Sequence, residues 1–251
     1  MSLDLNSILR DWPHESGAIK VRKVAGLDGR EKLQLRIDLG VLQMEMHGRP
    51  DGVRPHGCES LLTYHQQRAA RAMQRGQSYQ LTAEQCAELQ QEGIQYYHRY
   101  LSLFQINDFA GVVRDTQRNL DLFTFVAEHT DRDDLSWSLQ QFRPYVLMMN
   151  TRAKASILLG QGKFPEAMRE IQHGRDVIAE FFQRSNFPEL AAKSSEIAFL
   201  DEWLEEVKEK RPLSKLEIMQ REMETAIAKE LYEKAAELRD AIKVLKMQKQ
   251  H

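Results

Sequence analysis

Hydrophobic and polar positions alternate along the N-terminal part of the chain, which is typical of β-strands. Segment 19–24 is short and rich in β-branched residues, and Asp28-Gly29 then offers a turn in which glycine accepts a positive φ. Apolar residues next occupy the odd positions from 33 to 41 and then move to even positions. Because side chains alternate between the two faces of a strand, this change of phase at Gly40 predicts a bulge or a bend between two strands. Residues 1–57 therefore predict a small β-rich element.

After residue 57 the apolar residues recur every three or four positions, which is the spacing of amphipathic helices. Residues that favour helix starts stand at the breaks: Thr82 and Gln85 have the spacing of a capping box, and Pro165 and Pro188 suit a first helical turn. Aromatic and methionine-rich runs follow the same helical spacing, so we expect them in a core and not around a cofactor. The predicted helices cover residues 58–75, 82–105, 109–129, 135–160, 164–184 and 188–209.

Two of these helices resemble each other, since residues 109–118 can be laid over residues 164–173 without a gap. Similar connections precede them, LFQINDF in the first copy and LLGQGKF in the second. The second connection resembles the turn of a tetratricopeptide repeat, in which a glycine ends one helix and an aromatic residue opens the next. The copies are 55 residues apart, whereas that repeat has a period of about 34 residues. We therefore predict a degenerate helical-repeat body over 58–210, with two helix pairs that are similar by chance as the alternative.

The C-terminal part forms a separate predicted unit, 213–251. Arg211-Pro212 interrupts the helical pattern before it, because proline disfavours helix in the residue that precedes it. Lys229-Glu230 allows a tight turn between two helices, which are marginal alone at about 14 residues each. Such short helices cannot bury both of their apolar stripes against each other, so the remainder predicts a surface for a partner. The apolar positions are Leu216, Met219, Met223 and Ile227 in the first helix and Leu231, Ala235, Leu238, Ile242 and Leu245 in the second.

Residues 233–240 contain the pattern E-x-A-A-x-L-R-D. With its flanking apolar positions this segment resembles the UVR domain, which occurs at the C-terminal end of the B subunit of the bacterial excision nuclease and inside its C subunit. Tyr232 departs from the family, which usually has phenylalanine there. The whole chain resembles bacterial proteins that join a helical-repeat region to a UVR tail.

The resemblance implies that the helical hairpin docks proteins, including another hairpin of the same type. The alternative is an amphipathic hairpin that packs only on its own chain. By resemblance, the contact face would comprise Met223, Ile227, Leu231, Tyr232, Ala235, Leu238 and Ile242, with Arg239 and Asp240 adding polar contacts at its edge.

Charge and short motifs narrow the classes of function. The chain has 35 Lys and Arg against 37 Asp and Glu, without the basic surplus that many phosphate contacts require. Residues 213–251 interleave eight basic with seven acidic side chains, which suits protein contacts. No phosphate-binding G-x-x-x-x-G-K-[ST] loop and no C-x-x-C pair occurs. Neither a secretory pattern nor an apolar run of about 20 residues is present, so we expect a cytoplasmic protein that does not enter the membrane.

Two sets of residues near the start of the helical region are candidates for binding. His47, His56, Cys58 and His65 carry zinc-type ligand atoms, but their spacing fits no established ligand pattern, so we predict no metal. The second set lies on one helix face at intervals of three and four residues and is the candidate phosphate contact, with a solvated face as the alternative. It consists of Arg68, Arg71 and Arg75.

The sequence as a whole predicts a mainly α protein, in which a helical-repeat-like bundle joins a small N-terminal antiparallel β element to a C-terminal αα-hairpin. Because no catalytic arrangement and no cofactor motif can be singled out, we expect a non-enzymatic adaptor or scaffold. Its partner would be a protein with a UVR-type hairpin, or a second copy of the chain. The alternative is a DNA-repair or nucleic-acid-associated factor recruited through the hairpin. A third interpretation is a ligand-binding sensor with a pocket in the helical body.

Overall fold

The computed structural model describes residues 4–185, 188–213 and 215–248. The chain divides into two compact units, 1–204 and 205–251. The fold is mainly helical, with a small N-terminal antiparallel sheet and a C-terminal helix pair, which confirms the predicted fold class. The helices are α1 (Asn6–Leu9), α2 (Leu61–Gln74), α3 (Ala83–Gln105), α4 (Phe109–Glu128), α5 (Asp133–Gln140), α6 (Arg143–Gly160), α7 (Phe164–Arg184), α8 (Pro188–Ala191), α9 (Ser195–Lys210), α10 (Lys215–Ala228) and α11 (Tyr232–Gln248).

The N-terminal sheet has the order β1-β2-β3, and both neighbouring pairs are antiparallel. A two-residue turn joins β2 to β3, and Leu39 in this turn is exposed. The register pairs odd positions of β2 with even positions of β3, as in Leu33 with Met44, so both side chains point to the same face of the sheet. The change of phase at Gly40 thus comes from a hairpin turn between two strands, so of the two predicted alternatives the bend is confirmed and the bulge is wrong. The strands are β1 (Lys20–Ala25), β2 (Glu31–Ile37) and β3 (Gly40–Glu45).

The helix pairs α3–α4 and α6–α7 share the geometry of their connection. The second residue after each first helix adopts a left-handed conformation, Asn107 with φ 60° and Gly162 with φ 73°. In both turns the next amide donates to a carbonyl five residues back, from Asp108 to Leu103 and from Lys163 to Leu158, each at 2.9 Å. This is the Schellman arrangement that closes a helix C-terminus. The similarity seen in the sequence therefore extends to the backbone, while its interpretation as a tetratricopeptide repeat stays a prediction.

Equivalent side chains in the two helix pairs also make equivalent contacts. The Gln117 amide donates to Asp121 in α4 at 2.9 Å, and the Gln172 amide donates to Asp176 in α7 at 3.1 Å. An ion pair joins the two helices of each pair, between Arg99 and Asp115 in the first pair. Its counterpart, 55 positions further along the chain, joins Lys154 to Glu170 with 3.7 Å between Nζ and Oε1.

The helical prediction is wrong at two points, where one predicted stretch is two helices. The stretch 135–160 consists of α5 and α6, which are separated at Gln141 and Phe142, and Pro144 stands in the first turn of α6. Proline favours such a start because the amide that it lacks has no helical partner there. The stretch 188–209 is likewise divided into α8 and α9. The predicted capping box of Thr82 and Gln85 at the start of α3 is confirmed.

Buried charges connect the sheet to the helices in the N-terminal unit. Arg99 of α3 donates from Nε and Nη2 to the carboxylate of Asp115, at 2.6 and 2.9 Å, and both side chains are buried. Its Nη1 donates to the carbonyl of Glu45 at 3.0 Å. A guanidinium with both a carboxylate and a carbonyl as acceptors keeps its hydrogen bonds in an interior from which water is excluded. This arrangement fixes the end of β3 against α3.

Candidate functional site

The C-terminal unit contains a helical hairpin in which α10 and α11 pack against each other along their apolar positions. In α10 these positions are spaced by three, four and three residues, and α11 repeats the same spacing. That is the spacing of a helical seam, because it returns side chains to one side of each helix. The seam positions are all buried or half-buried, and they are Leu216, Met219, Met223 and Ala226 in α10 and Ala235, Leu238, Ile242 and Leu245 in α11.

The connection between the two helices is the tight turn that the sequence predicts. Glu230 has a left-handed backbone with φ 58°, a conformation that side chains other than glycine adopt at a steric cost. The Glu230 amide donates to the carbonyl of Ile227 at 3.0 Å, and the Leu231 amide donates to that of Ala226 at 2.8 Å. These bonds close the end of α10 and allow the chain to reverse within three residues.

Three large apolar side chains at this turn remain exposed. Ile227 is 50% exposed, Leu231 is 51% exposed and Tyr232 is 67% exposed. They lie within six consecutive residues at one end of the helical hairpin, and we refer to them as the turn-end patch. Clustered exposed apolar side chains mark surfaces that other molecules cover, whereas isolated ones are common on any protein.

A groove of about 320 Å³ runs along α10 and reaches the turn-end patch at Leu231. Its lining includes three cationic side chains, Arg221, Lys229 and Lys234, and one carboxylate, Glu222. Ile218, which is also exposed, lies in the same groove. The groove thus joins an apolar strip to a mainly cationic border, which complements a partner surface with apolar and acidic side chains.

The structure divides the predicted contact residues into three groups. Ile227, Leu231 and Tyr232 are exposed, and Arg239 and Asp240 are exposed as well and form an ion pair with each other at 3.0 Å. The second and third groups lie along the seam: Met223 and Leu238 are half-buried, and Ala235 and Ile242 are buried. Sequence reasoning missed the lining of the groove, including Ile218 and Lys234.

The three candidate phosphate-contacting arginines are exposed, Arg68 and Arg71 on α2 and Arg75 directly after its last residue. The guanidinium of Arg68 lies over the rings of Tyr64 and Tyr79, 5.6 and 5.4 Å from their centroids. Such cation–π contacts hold the side chain against the protein surface. Arg71 and Arg75 are exposed on the last turn of the helix and at its end, so these two are the members of the set that are best placed for an external anion.

The histidines considered as zinc ligands make contacts with other side chains, and two of them, His56 and His65, both contact the ring of Tyr64. The ring of His56 stacks on Tyr64 with centroids 4.0 Å apart, and His47 Nδ1 lies 3.1 Å from Arg114 Nη1. His65 Nδ1 lies 2.6 Å from the Tyr79 hydroxyl, and burial lowers the pKa of His65 to about 4. In the described part of the chain, no three His, Cys, Asp or Glu side chains are placed to hold a metal ion.

The packed seam, the closed turn and the exposed turn-end patch all lie in one C-terminal segment of the chain. A comparison with protein families identifies it further, since the family described as UVR, the UvrB/uvrC motif, matches residues 214–248. UVR motifs mediate protein–protein interactions. The match supports, at this general level, a role in interaction or in DNA repair. Searches of curated proteins and of solved structures give no significant match. Among the described helices, none is both long and apolar enough to cross a membrane.

Proposed function

We propose that the protein is a non-enzymatic adaptor that docks a protein partner through the turn-end patch of its C-terminal helical hairpin. The partner is another protein with a UVR-type hairpin, or a second copy of this chain. The helical body over 58–210 then acts as the scaffold that the hairpin connects to that partner.

The observation that carries this proposal is the exposure of Ile227, Leu231 and Tyr232 within the segment that matches the UVR motif. Complete burial of a side chain such as leucine or isoleucine contributes about 1.5–3 kcal/mol. Tyrosine adds a hydroxyl that can donate a hydrogen bond at the rim of an interface, and it is enriched among residues that dominate binding. The groove beside the patch, with Arg221, Lys229 and Lys234, favours a partner surface that carries carboxylates.

Replacing both Leu231 and Tyr232 with aspartate should abolish docking and leave the fold intact, because both side chains are exposed. We expect affinity for the partner, or self-association, to fall about 100-fold or more, since hot-spot residues contribute at least about 2 kcal/mol each. Light scattering of the full chain measures self-association, and titration with an isolated UVR-type hairpin measures partner binding.

The matched control for this double variant is Leu39→Asp, which places a carboxylate on an exposed leucine in the β2–β3 turn. It should bind and assemble as the unmodified chain does. Docking by the double variant that equals docking by the unmodified chain would refute the role of the turn-end patch. An equal loss in the Leu39 variant would show that added negative charge, and not the patch, is responsible.

The second candidate function is a DNA-repair or nucleic-acid-associated factor, and exposed Arg71 and Arg75 on α2 favour it. If these arginines hold phosphates, duplex DNA should bind with an affinity that falls steeply as the salt concentration rises. The reason is that each cationic side chain bound to a phosphate displaces a counterion from the DNA. Replacing both with alanine should then lower affinity and reduce the salt slope by about two. Filter binding at several salt concentrations measures both quantities, and identical slopes for the two proteins would remove this candidate.

A further inference from the structure

A cavity of about 450 Å³ lies within the helical body, between α3, α4, α5 and α6. This volume falls in the range of about 300–1,000 Å³ that is typical of sites for small molecules. Its inner wall is buried, whereas Ile94, Tyr97 and Phe142 are exposed and surround an opening to solvent. The cavity is therefore accessible from outside. Its lining residues are Gln90, Gly93, Ile94, Tyr97, His98, Tyr100, Asn119, Phe123, Leu139, Phe142, Tyr145 and Val146.

The cavity exists because α5 is inserted between the two similar helix pairs. Leu139 of α5 and Phe142, which follows it, form one wall, and the first helices of the two pairs form others. Gln90 and Tyr145, which stand 55 positions apart at equivalent places in the two pairs, both line the cavity. α6 packs directly on α4, and α5 contacts both α3 and α4. The same insertion contributes to the distance of 55 residues between the two copies.

The chemistry of the lining favours an uncharged ligand. None of the described residues that line the cavity is an aspartate, glutamate, lysine or arginine. Burial lowers the pKa of His98, so its imidazole is neutral at pH 7, and burial raises the pKa of Tyr100 and Tyr145, so both phenols keep their protons. A charged ligand would lose its hydration here without gaining a counter-ion from the lining, which disfavours its binding.

Three tyrosines bring hydroxyl groups to a lining that is otherwise mainly apolar, and we refer to them as its polar side. The Tyr97 ring meets the Tyr100 ring edge-on at 5.5 Å between centroids and lies 6.3 Å from the Tyr145 ring. Tyr100 is only 1% exposed, and a protonated phenol is both a donor and an acceptor of hydrogen bonds. The aromatic faces favour flat apolar ligands, and the hydroxyls favour one that carries an oxygen acceptor.

We propose that this cavity is a binding site for an uncharged, mainly aromatic small molecule that carries a hydrogen-bond acceptor. The site is independent of the docking function proposed above, since it is built from residues of the helical body alone. Its occupant adds a ligand-responsive element to a protein whose other surface docks a partner.

Titration of the full-length chain with prodan tests the site, because prodan is an uncharged naphthalene ketone whose emission shifts to the blue in apolar surroundings. Replacing Ile94 at the opening with tryptophan should fill the entrance and weaken binding about tenfold or more. Met73→Trp, at an exposed position on α2, is the matched control and should bind prodan as the unmodified chain does. Anilinonaphthalene sulfonate, a naphthalene with a negative charge, should bind more weakly than prodan.

A second variant, Tyr100→Phe, tests the polar side without changing the shape of the cavity. Losing one hydrogen bond to the ketone should weaken binding about fivefold. The Leu231→Asp, Tyr232→Asp protein should keep its prodan affinity, which separates the cavity from dye bound to the turn-end patch. Equal prodan affinity of the unmodified chain and the Ile94 variant, with thermal unfolding showing both folded, would overturn the proposal, and so would tighter binding of the sulfonate.

Discussion

Replacing Asp115 with alanine should lower the free energy of unfolding of the N-terminal unit by about 3–5 kcal/mol, because the change breaks a buried ion pair by removing one partner. Arg99 would then retain one acceptor, the carbonyl of Glu45, and would keep its charge in a site from which water is excluded. Arg114 would also lose the carboxylate that accepts from its Nε at 2.9 Å. The loss should exceed that of an ordinary surface substitution several-fold.

Urea unfolding followed by tryptophan fluorescence measures this effect, since Trp12, Trp137 and Trp203 all lie in the N-terminal unit. The matched control is Glu170→Ala, which removes the carboxylate at the equivalent position of the second helix pair, α6–α7. Lys154 and Glu170 are partly exposed and 3.7 Å apart, so this change should cost about 0–1 kcal/mol. Similar losses for both variants would show that burial does not distinguish the two ion pairs.

Replacing Glu92 with alanine should cost a similar amount, about 3–5 kcal/mol, and should also loosen the start of α2. Glu92 is fully buried and accepts the amides of Leu61 at 2.7 Å and Leu62 at 3.2 Å. A carboxylate in this position accepts hydrogen bonds from amides that a helix leaves unpaired at its N-terminus. Its negative charge also interacts favourably with the positive end of the helix dipole. It also pairs with Arg118, whose own Nε has no hydrogen-bond partner among the described residues.

Hydrogen exchange of the α2 amides separates this local effect from global unfolding. In the Glu92 variant the first turn of α2 should exchange faster even where the remaining helices stay protected. Glu88→Ala, one turn earlier on α3 and exposed, should change stability by less than about 0.5 kcal/mol and leave α2 protection intact. Unchanged α2 protection in the Glu92 variant would contradict the role of this carboxylate as the acceptor of the first two amides of that helix.

The helical hairpin shows where reading the sequence succeeds and where it fails. Both helices and the turn at Lys229-Glu230 follow from apolar spacing and lie where the sequence predicts them. The first stripe, however, continues from Met223 to Ala226 in the structure, and Ile227 is left exposed. Spacings of three and four residues are both compatible with one helix face. From the sequence we expect the larger side chain, Ile227, in the seam. Two helices that approach closely favour the smaller side chain, Ala226.

The helical body shows the same limit at a larger scale. The similar connections before Phe109 and Phe164 could be recognised because turn geometry depends on neighbouring residues. The break between α5 and α6 was missed because the apolar pattern continues across it. As a result the cavity, whose wall includes Leu139 and Phe142, had no signal in the sequence. Its aromatic residues have the spacing of core residues, and Phe123 is indeed buried while Tyr97 is exposed at the opening.

The sequence by itself determined most of the helices and strands of this protein and the segment that matches the UVR motif, because periodicity, caps and turns act between residues that are close in the chain. The tertiary structure alone decided that Arg99 pairs with Asp115, that Glu92 caps α2, and that space remains between the helix pairs. Those features join residues that are distant in the chain: Arg99 and Asp115 are 16 positions apart, and Leu61 and Glu92 are 31 positions apart. Which residues meet in these features depends on helix packing and on the removal of water from buried charges. The local sequence pattern predicts neither.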